Sequence, residues 1–237
     1  MLRISAICLS AVVLGTFAAP ASAEQTHSTV VFEDEFDREV SGDEAKLGNE
    51  WKLNTKEMHQ FVLKDGALHV TRNTDAKHSA NLLHQAEFRN GTLEMRFKLV
   101  NQDDSFRVQF RDSAFTKIKQ GMLFNVLIGD GKLELQDAVI AYEIKQQLKS
   151  VKAAQPSPEQ QQVLDKAKVS APLQLSAGPR HDLRVDIQGN KLTVSIDGKE
   201  AASLSSAAIG HATKDNFRVE VNPALVIDNI KVSKKGT

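Results

Sequence analysis

The feature that most constrains this chain is the strict alternation of apolar and polar residues in several separate segments. In T-L-E-M-R-F-K-L-V, residues 92–100, Leu93, Met95, Phe97 and Leu99 fall on one side and Glu94, Arg96 and Lys98 on the other. S-F-R-V-Q-F-R, residues 105–111, sets Phe106, Val108 and Phe110 against Arg107, Gln109 and Arg111. H-D-L-R-V-D-I (181–187) and K-L-T-V-S-I (191–196) repeat the pattern. A helix would scatter these side chains around its axis. A strand sends alternate residues to opposite faces, so each segment predicts a strand with one face in a core and one in water.

Turn chemistry separates the strands. K-D-G at 64–66, R-N-G at 89–91, Q-G-N at 188–190 and I-D-G at 196–198 read as hairpin turns. Asn90-Gly91-Thr92 is also a glycosylation sequon, but the turn accounts for it. One segment, about 138–168, breaks the pattern. Ile140, Ile144, Leu148 and Val151 form a helical stripe. Ser157, Pro158 and Gln160 form an N-cap, first-turn proline and capping box. The segment predicts a helical hairpin inserted between strands, either covering a sheet edge or serving as a lid or partner surface. Pro172 and Pro179 flank the return to sheet. About a dozen short strands with one helical insertion predict an all-β sandwich.

Residues 1–23 read as a leader: Arg3, an apolar run, then Ala21-Ser22-Ala23, with cleavage expected after Ala23. The run is shorter than the roughly 20 residues that span a bilayer. Cys8, the only cysteine, lies inside it, so residues 24–237 would form one exported domain with no disulfide, held by core burial alone. Removing Arg3 from the 30 basic residues leaves 29 against 30 acidic ones, which gives no nucleic-acid footprint. No second segment predicts a membrane span.

V-F-E-D-E-F-D-R-E-V, residues 31–40, holds Glu33, Asp34, Glu35, Asp37 and Glu39. On an extended strand Glu35, Asp37 and Glu39 would stand side by side, the raw material for a glycosidase acid and nucleophile. Phe32 and Phe36 share the opposite face, so the stretch predicts a half-buried strand with an acidic outer face.

V-F-E-D-E-F-D-R, L-G-N-E-W and F-V-L-K-D-G-A-L-H-V resemble the opening of concanavalin-A-like jelly rolls. The resemblance is closest to exported bacterial proteins with the 3-keto-disaccharide hydrolase-like domain, also described as family 16 glycoside hydrolase-like. E-F-R-N-G-T-L-E-M-R-F, L-E-L-Q-D (133–137), residues 180–199 and L-V-I-D-N-I-K-V (225–232) extend it in order over most of the chain. It implies a two-sheet concanavalin-A-like jelly-roll sandwich with the helical hairpin as an insertion. In family 16 glycoside hydrolases the catalytic Glu-x-Asp-x-(x)-Glu lies mid-chain on the concave sheet. Here the motif sits only in the opening stretch, so no catalytic residue carries over. Related domains are also richer in Trp, including in the strand where Arg180 stands here.

The residues expected to form a ligand surface are Glu94, Arg96, Arg107, Gln109, Glu134 and Gln136, the polar partners on alternating strands. Carboxylate, amide and guanidinium together suit a sugar or an acidic glycan. Glu94 and Glu134 are the one carboxylate pair nominated for hydrolysis. One Trp and one Tyr leave little for sugar stacking. The His residues form no zinc motif, although His78 and His84 flank N-L-L and could meet across a loop. Asp103-Asp104 suits a calcium loop or, more simply, a hairpin tip. No cofactor or metal is implied. Three readings remain: a non-catalytic glycan-associated or structural exported domain, a divergent glycoside hydrolase or lyase acting on a modified disaccharide, and a protein-interaction domain using the helical hairpin.

Overall fold

The computed structural model describes residues 28–38 and 47–236. The leader segment, Cys8 and Glu39 lie outside the described residues. In chain order the elements are β1 (Ser28–Asp34), β2 (Lys52–Leu53), β3 (Gln60–Lys64), β4 (Ala67–Thr71), β5 (Ala80–Phe88), β6 (Gly91–Lys98), β7 (Ser105–Arg111), β8 (Met122–Gly129) and β9 (Lys132–Asp137). Helices α1 (Ala138–Ser150) and α2 (Pro158–Lys166) follow. Then come β10 (Lys168–Pro172), β11 (His181–Gln188), β12 (Lys191–Ile196), β13 (Lys199–Ser205), β14 (Lys214–Asn222) and β15 (Ala224–Lys235).

The strands form two antiparallel sheets. The front sheet has the order β10-β9-β8-β7-β14-β5-β2, and the back sheet β13-β12-β11-β6-β15-β4-β3 with β1 also paired to β15. The core lies between them, filled by the apolar sets that alternation identified. Leu93, Met95, Phe97 and Leu99 of the back sheet and Phe106, Val108 and Phe110 of the front sheet are all buried. The two sets meet edge-to-face at Phe97 and Phe106, with ring centroids 4.7 Å apart.

Three turns are as the sequence predicts. Asp65-Gly66 and Asp197-Gly198 both have positive φ, the geometry of a two-residue hairpin turn, and join β3 to β4 and β12 to β13. Residues 188–190 join β11 to β12. Arg89-Asn90-Gly91 is a correction: it carries the chain from β5 in the front sheet to β6 in the back sheet. A Cβ on Gly91 would fall 2.4 Å from the Ser233 carbonyl oxygen, so only glycine permits the approach to β15. Asp103-Asp104 likewise lies between sheets rather than at a hairpin tip. Asp104 is fully buried and accepts from the backbone N–H of Asn101 (2.5 Å) and of Ala224 (3.2 Å).

The acidic opening also differs from expectation. β1 stops at Asp34, and Phe36 takes a left-handed backbone (φ 55°), so Glu35 and Asp37 do not continue a pleated face. The strand ends because Asp34 turns inward and collects donors. It accepts from Trp51 Nε1 (2.8 Å), Phe36 N (2.9 Å) and both terminal nitrogens of Arg38 (2.5 and 3.0 Å). Arg38 also donates to the Leu47 carbonyl (2.6 and 3.0 Å), clipping 34–38 to 47.

The helical hairpin forms as read, including the reciprocal capping box of Ser157 and Gln160. Its first helix lies over interior strands, and its second contacts the edge strand β10. Asp137 caps α1 through the Ile140 N–H, and α1 turns back over β8 and β9, while β10 takes the edge. Among the described residues no helix is long and apolar enough to cross a membrane.

Candidate functional site

The outer face of the front sheet carries two clefts. Pairing places Lys168, Gln136, Asn125, Gln109, Arg218, Leu83 and Lys52 in one row across the strands. The next row is Ser170, Glu134, Leu127, Arg107, Glu220 and Asn81. Alternation sends these side chains away from the core, yet Gln109, Asn125 and Arg111 are almost fully buried. α1 covers one flank, and the 112–121 loop folds over the centre.

That loop is held from beneath. Arg111 donates to the Gln120 carbonyl through Nε (2.9 Å) and through Nη2, while Arg218 Nη1 donates to Gln120 Oε1 (3.1 Å). Asp112 N donates to the Gly121 carbonyl (2.9 Å). A Cβ on Gly121 would lie 1.8 Å from the Asp112 carbonyl oxygen, and its φ is +65°, so glycine is what lets the loop close.

Two adjoining clefts result. One, about 890 Å³, runs between this loop and residues 54–57 and 77–79. The other, about 420 Å³, lies between the loop and α1, where Ala141, Tyr142 and Lys145 form its wall. Lys119, Gln120, Arg218 and Glu220 are common to both. Their sizes lie in the range of small-ligand sites. Burial pushes the Arg111 guanidinium down to about 10, helped by the charge of Arg218, so it stays cationic at neutral pH. Burial also lowers Arg218, opposed by Glu220. Arg107 and Arg218 approach Glu220 at 3.6 and 3.9 Å. At the rim, His78 engages Glu57 through Nδ1 (2.7 Å) and its backbone N–H (3.0 Å), holding that carboxyl below its usual range.

Of the six residues expected to form the surface, four stand on this face. Gln109 and Gln136 line the cleft beside α1, and Arg107 reaches it through Glu220. Glu134 turns toward the edge, paired with Lys168 (2.7 Å) and Lys132 (3.7 Å). Glu94 and Arg96 are on β6 of the back sheet, paired with Arg184 and with Asp182 (2.8 Å). The nominated pair Glu94 and Glu134 therefore stands on opposite faces of the sandwich and cannot flank one bond. Glu220 does not replace Glu94 as partner for Glu134. Three strand spacings separate them, about 14 Å, beyond the roughly 5–9.5 Å of glycosidase pairs.

His78 and His84 do not meet. His84 is buried, stacked on Phe32 at 3.6 Å, with Nε2 2.9 Å from the Asn49 carbonyl. Among the described residues no group of three or more His, Cys, Asp or Glu side chains is placed to hold a metal ion.

Residues 37–233 match the family described as the 3-keto-alpha-glucoside-1,2-lyase-like domain. The chain belongs to this family. A comparison with curated proteins finds no match. Solved structures similar to this 3-keto-alpha-glucoside-1,2-lyase-like domain include SCLam, a non-specific endo-beta-1,3(4)-glucanase from family GH16. That pair is 13% identical, with a TM-score of 0.56, over 88% of this chain and 92% of the other. The laminarinase from Rhodothermus marinus is 12% identical, with a TM-score of 0.57, over 90% and 100% of the two chains. The kappa-carrageenase from Pseudoalteromonas carrageenovora, in complex with an oligotetrasaccharide of kappa-carrageenan, is 11% identical, with a TM-score of 0.57, over 93% and 100%. At these identities the likeness is one of fold, the two-sheet jelly roll that the sequence motifs implied.

Arg218 and Glu220 escaped the sequence reading. N-F-R-V-E-V, residues 216–221, carries the same alternation as β6 and β7, with Phe217, Val219 and Val221 inward, so the signal was present. Lys119, Gln120, Glu57 and His78 come from loops, whose positions no periodicity specifies.

Proposed function

We propose that this domain binds a saccharide in the clefts on the outer face of the front sheet. The observation that carries the reading is the set Gln136, Gln109 and Arg218, two amides and a guanidinium that line the cleft between α1 and the 112–121 loop. Side-chain amides offer donor and acceptor together, which matches the paired hydroxyls of a sugar. A kappa-carrageenase of the same fold has been solved with an oligosaccharide, and this supports the reading.

The test is calorimetric titration with oligosaccharides drawn from an array screen. Arg218→Ala and Gln120→Ala are expected to weaken binding roughly tenfold or more, the scale of one charged hydrogen bond. Arg96→Ala, on the back sheet, should leave it unchanged. Binding that survives both front-sheet changes, or that is lost in Arg96→Ala, would place the site elsewhere.

A second reading is favoured by Glu220 and by the family's description. Elimination from a 3-keto sugar needs one base rather than two carboxylates. The base removes the proton on the carbon beside the ketone, the electron pair moves to the ketone oxygen, and the glycosidic C–O bond breaks as the enolate collapses, the leaving oxygen taking a proton back from the protonated base or from water. Glu220 offers the base, and Arg107 and Arg218 offer cations for the developing oxyanion. Incubation with a 3-keto-α-glucoside separates the two readings. Turnover that Glu220→Gln abolishes while binding persists supports the lyase; no turnover leaves the binding domain.

Export completes the proposal, on the strength of residues 1–23. The secreted chain is expected to begin at Glu24 by mass spectrometry, and retention of Met1 would remove this part.

A further inference from the structure

We infer that the saccharide taken by the front-sheet clefts is anionic, bearing carboxylate or sulfate groups. The inference rests on the reading of the clefts as a saccharide site and adds the ligand's charge.

The lining is unbalanced. Lys56, Lys77, Lys119, Lys145 and Arg218 border the two clefts, against the carboxylates of Glu57 and Glu220. Both carboxylates are already engaged, Glu57 by His78 and Glu220 by two arginines. None of the four lysines forms an ion pair among the described residues. The chain as a whole carries no net charge, so the excess is local. Concave walls concentrate such a field and draw in anions.

The back sheet provides the contrast. Its outer depression is lined by Arg96, Arg184 and Lys231 against Asp182, Glu94 and Glu33. These pair one to one: Arg96 with Asp182, Arg184 with Glu94, and Lys231 with Glu33 at 3.3 Å. That face has neutralised itself, whereas the front face has cations to spare.

The aromatic inventory points the same way. A neutral sugar is commonly gripped by a flat ring under its apolar face. Here Trp51 is buried, edge-on to Phe32 and Phe217, and among the described residues Tyr142 is the only Phe, Tyr or Trp bordering either cleft. Without a stacking floor, charge-assisted hydrogen bonds are the strong interactions the site has to offer.

The experiment titrates the full chain with three probes of equal length: a neutral gluco-oligosaccharide, an oligogalacturonate and a sulfated galacto-oligosaccharide. Inorganic sulfate serves as a control. At low salt at least one anionic probe is expected to bind roughly tenfold or more tightly than the neutral one, and to weaken as salt rises through the screening range. Lys77→Gln with Lys119→Gln should erase most of that preference. Which anionic probe prevails separates carboxylate from sulfate recognition. Equal binding of neutral and anionic probes, with no effect of the lysine changes, overturns the inference while the saccharide site stands. Inorganic sulfate competing as well as the oligosaccharides also overturns it, since the clefts would then be a simple anion sink. Failure of all three sugars to bind sinks the underlying reading as well.

Discussion

Replacing Asp34 with alanine is expected to destabilise the domain by about 3 kcal/mol or more, measured as a loss of unfolding free energy in urea. The carboxylate is buried, and the substitution strips the acceptor from three donors at once: the Trp51 indole N–H, the Phe36 amide and the Arg38 guanidinium. Breaking a buried ion pair from one side leaves the other group uncompensated, which costs more than the pair's own net worth. The loss is also pH-dependent. Burial pushes the Asp34 carboxyl up, but the hydrogen bonds from Arg38, Trp51 and Phe36 outweigh it and hold it below its ordinary range. A group lowered by folding contributes above its unfolded pKa, and that contribution is lost as pH falls through the folded value. The gap between wild type and Asp34→Ala should therefore be full near neutrality and close in strong acid. Glu35→Gln is the control. Its side chain is exposed, and the change should stay within about 0.5 kcal/mol. If Asp34→Ala were as mild as Glu35→Gln, the clip at the start of the domain would have no structural weight.

Phe110→Ala is expected to cost about 3–5 kcal/mol, the range for emptying a ring from a packed core. Phe110 is fully buried at the centre of the front sheet. It stacks on Phe124 with centroids 4.9 Å apart and meets Phe88 edge-on at 6.2 Å. Its neighbours are fixed by strand pairing on both sides, opposite Phe124 on β8 and Phe217 on β14, so the cavity has little freedom to collapse. Phe110→Leu, which refills part of the volume, should recover part of the loss. Equal stability of the alanine and wild-type proteins in urea would contradict the packing described here.

How far the sequence could be read depended on what each pattern encodes. Alternation reports which side of a strand faces the core, and it did so correctly for β6, β7, β11 and β12, because burial on one face is the force that selects that pattern. It does not report which sheet the strand joins. Glu94 and Arg107 look alike in sequence, yet they face opposite ways from the sandwich, since the turn at 101–104 moves the chain from one sheet to the other. Local hydrogen bonding was legible where it closes within a few residues, as in the Ser157–Gln160 box. It was hidden where it closes at a distance. Asp34 looked like one more acid in an acidic run, and only the arrival of Trp51 and Arg38 distinguishes it from Glu33 and Glu35. The clefts were half visible: Arg107, Gln109 and Gln136 come from alternating strands, while the loops that turn a flat face into a groove carry no periodic signature.

The placement of β14 and β15 has a kinetic consequence. β14 lies between β5 and β7 in one sheet, and β15 separates β6 from β4 in the other, so the two halves of each sheet, made earlier in the chain, are joined by the two strands made last. Phe88 waits for Lys214, and Leu93 waits for Val232. Neither sheet can zip from one end, and the entropy of closing very long loops must be met before the central pairings return anything, which makes for a slow folder. During that wait β5, β7, β4 and β6 each offer an unmatched inner edge rich in apolar residues, and such edges pair with other chains as readily as with their own. In a nascent chain these are the surfaces a chaperone would have to shield until residue 214 and those beyond it have joined the sheets.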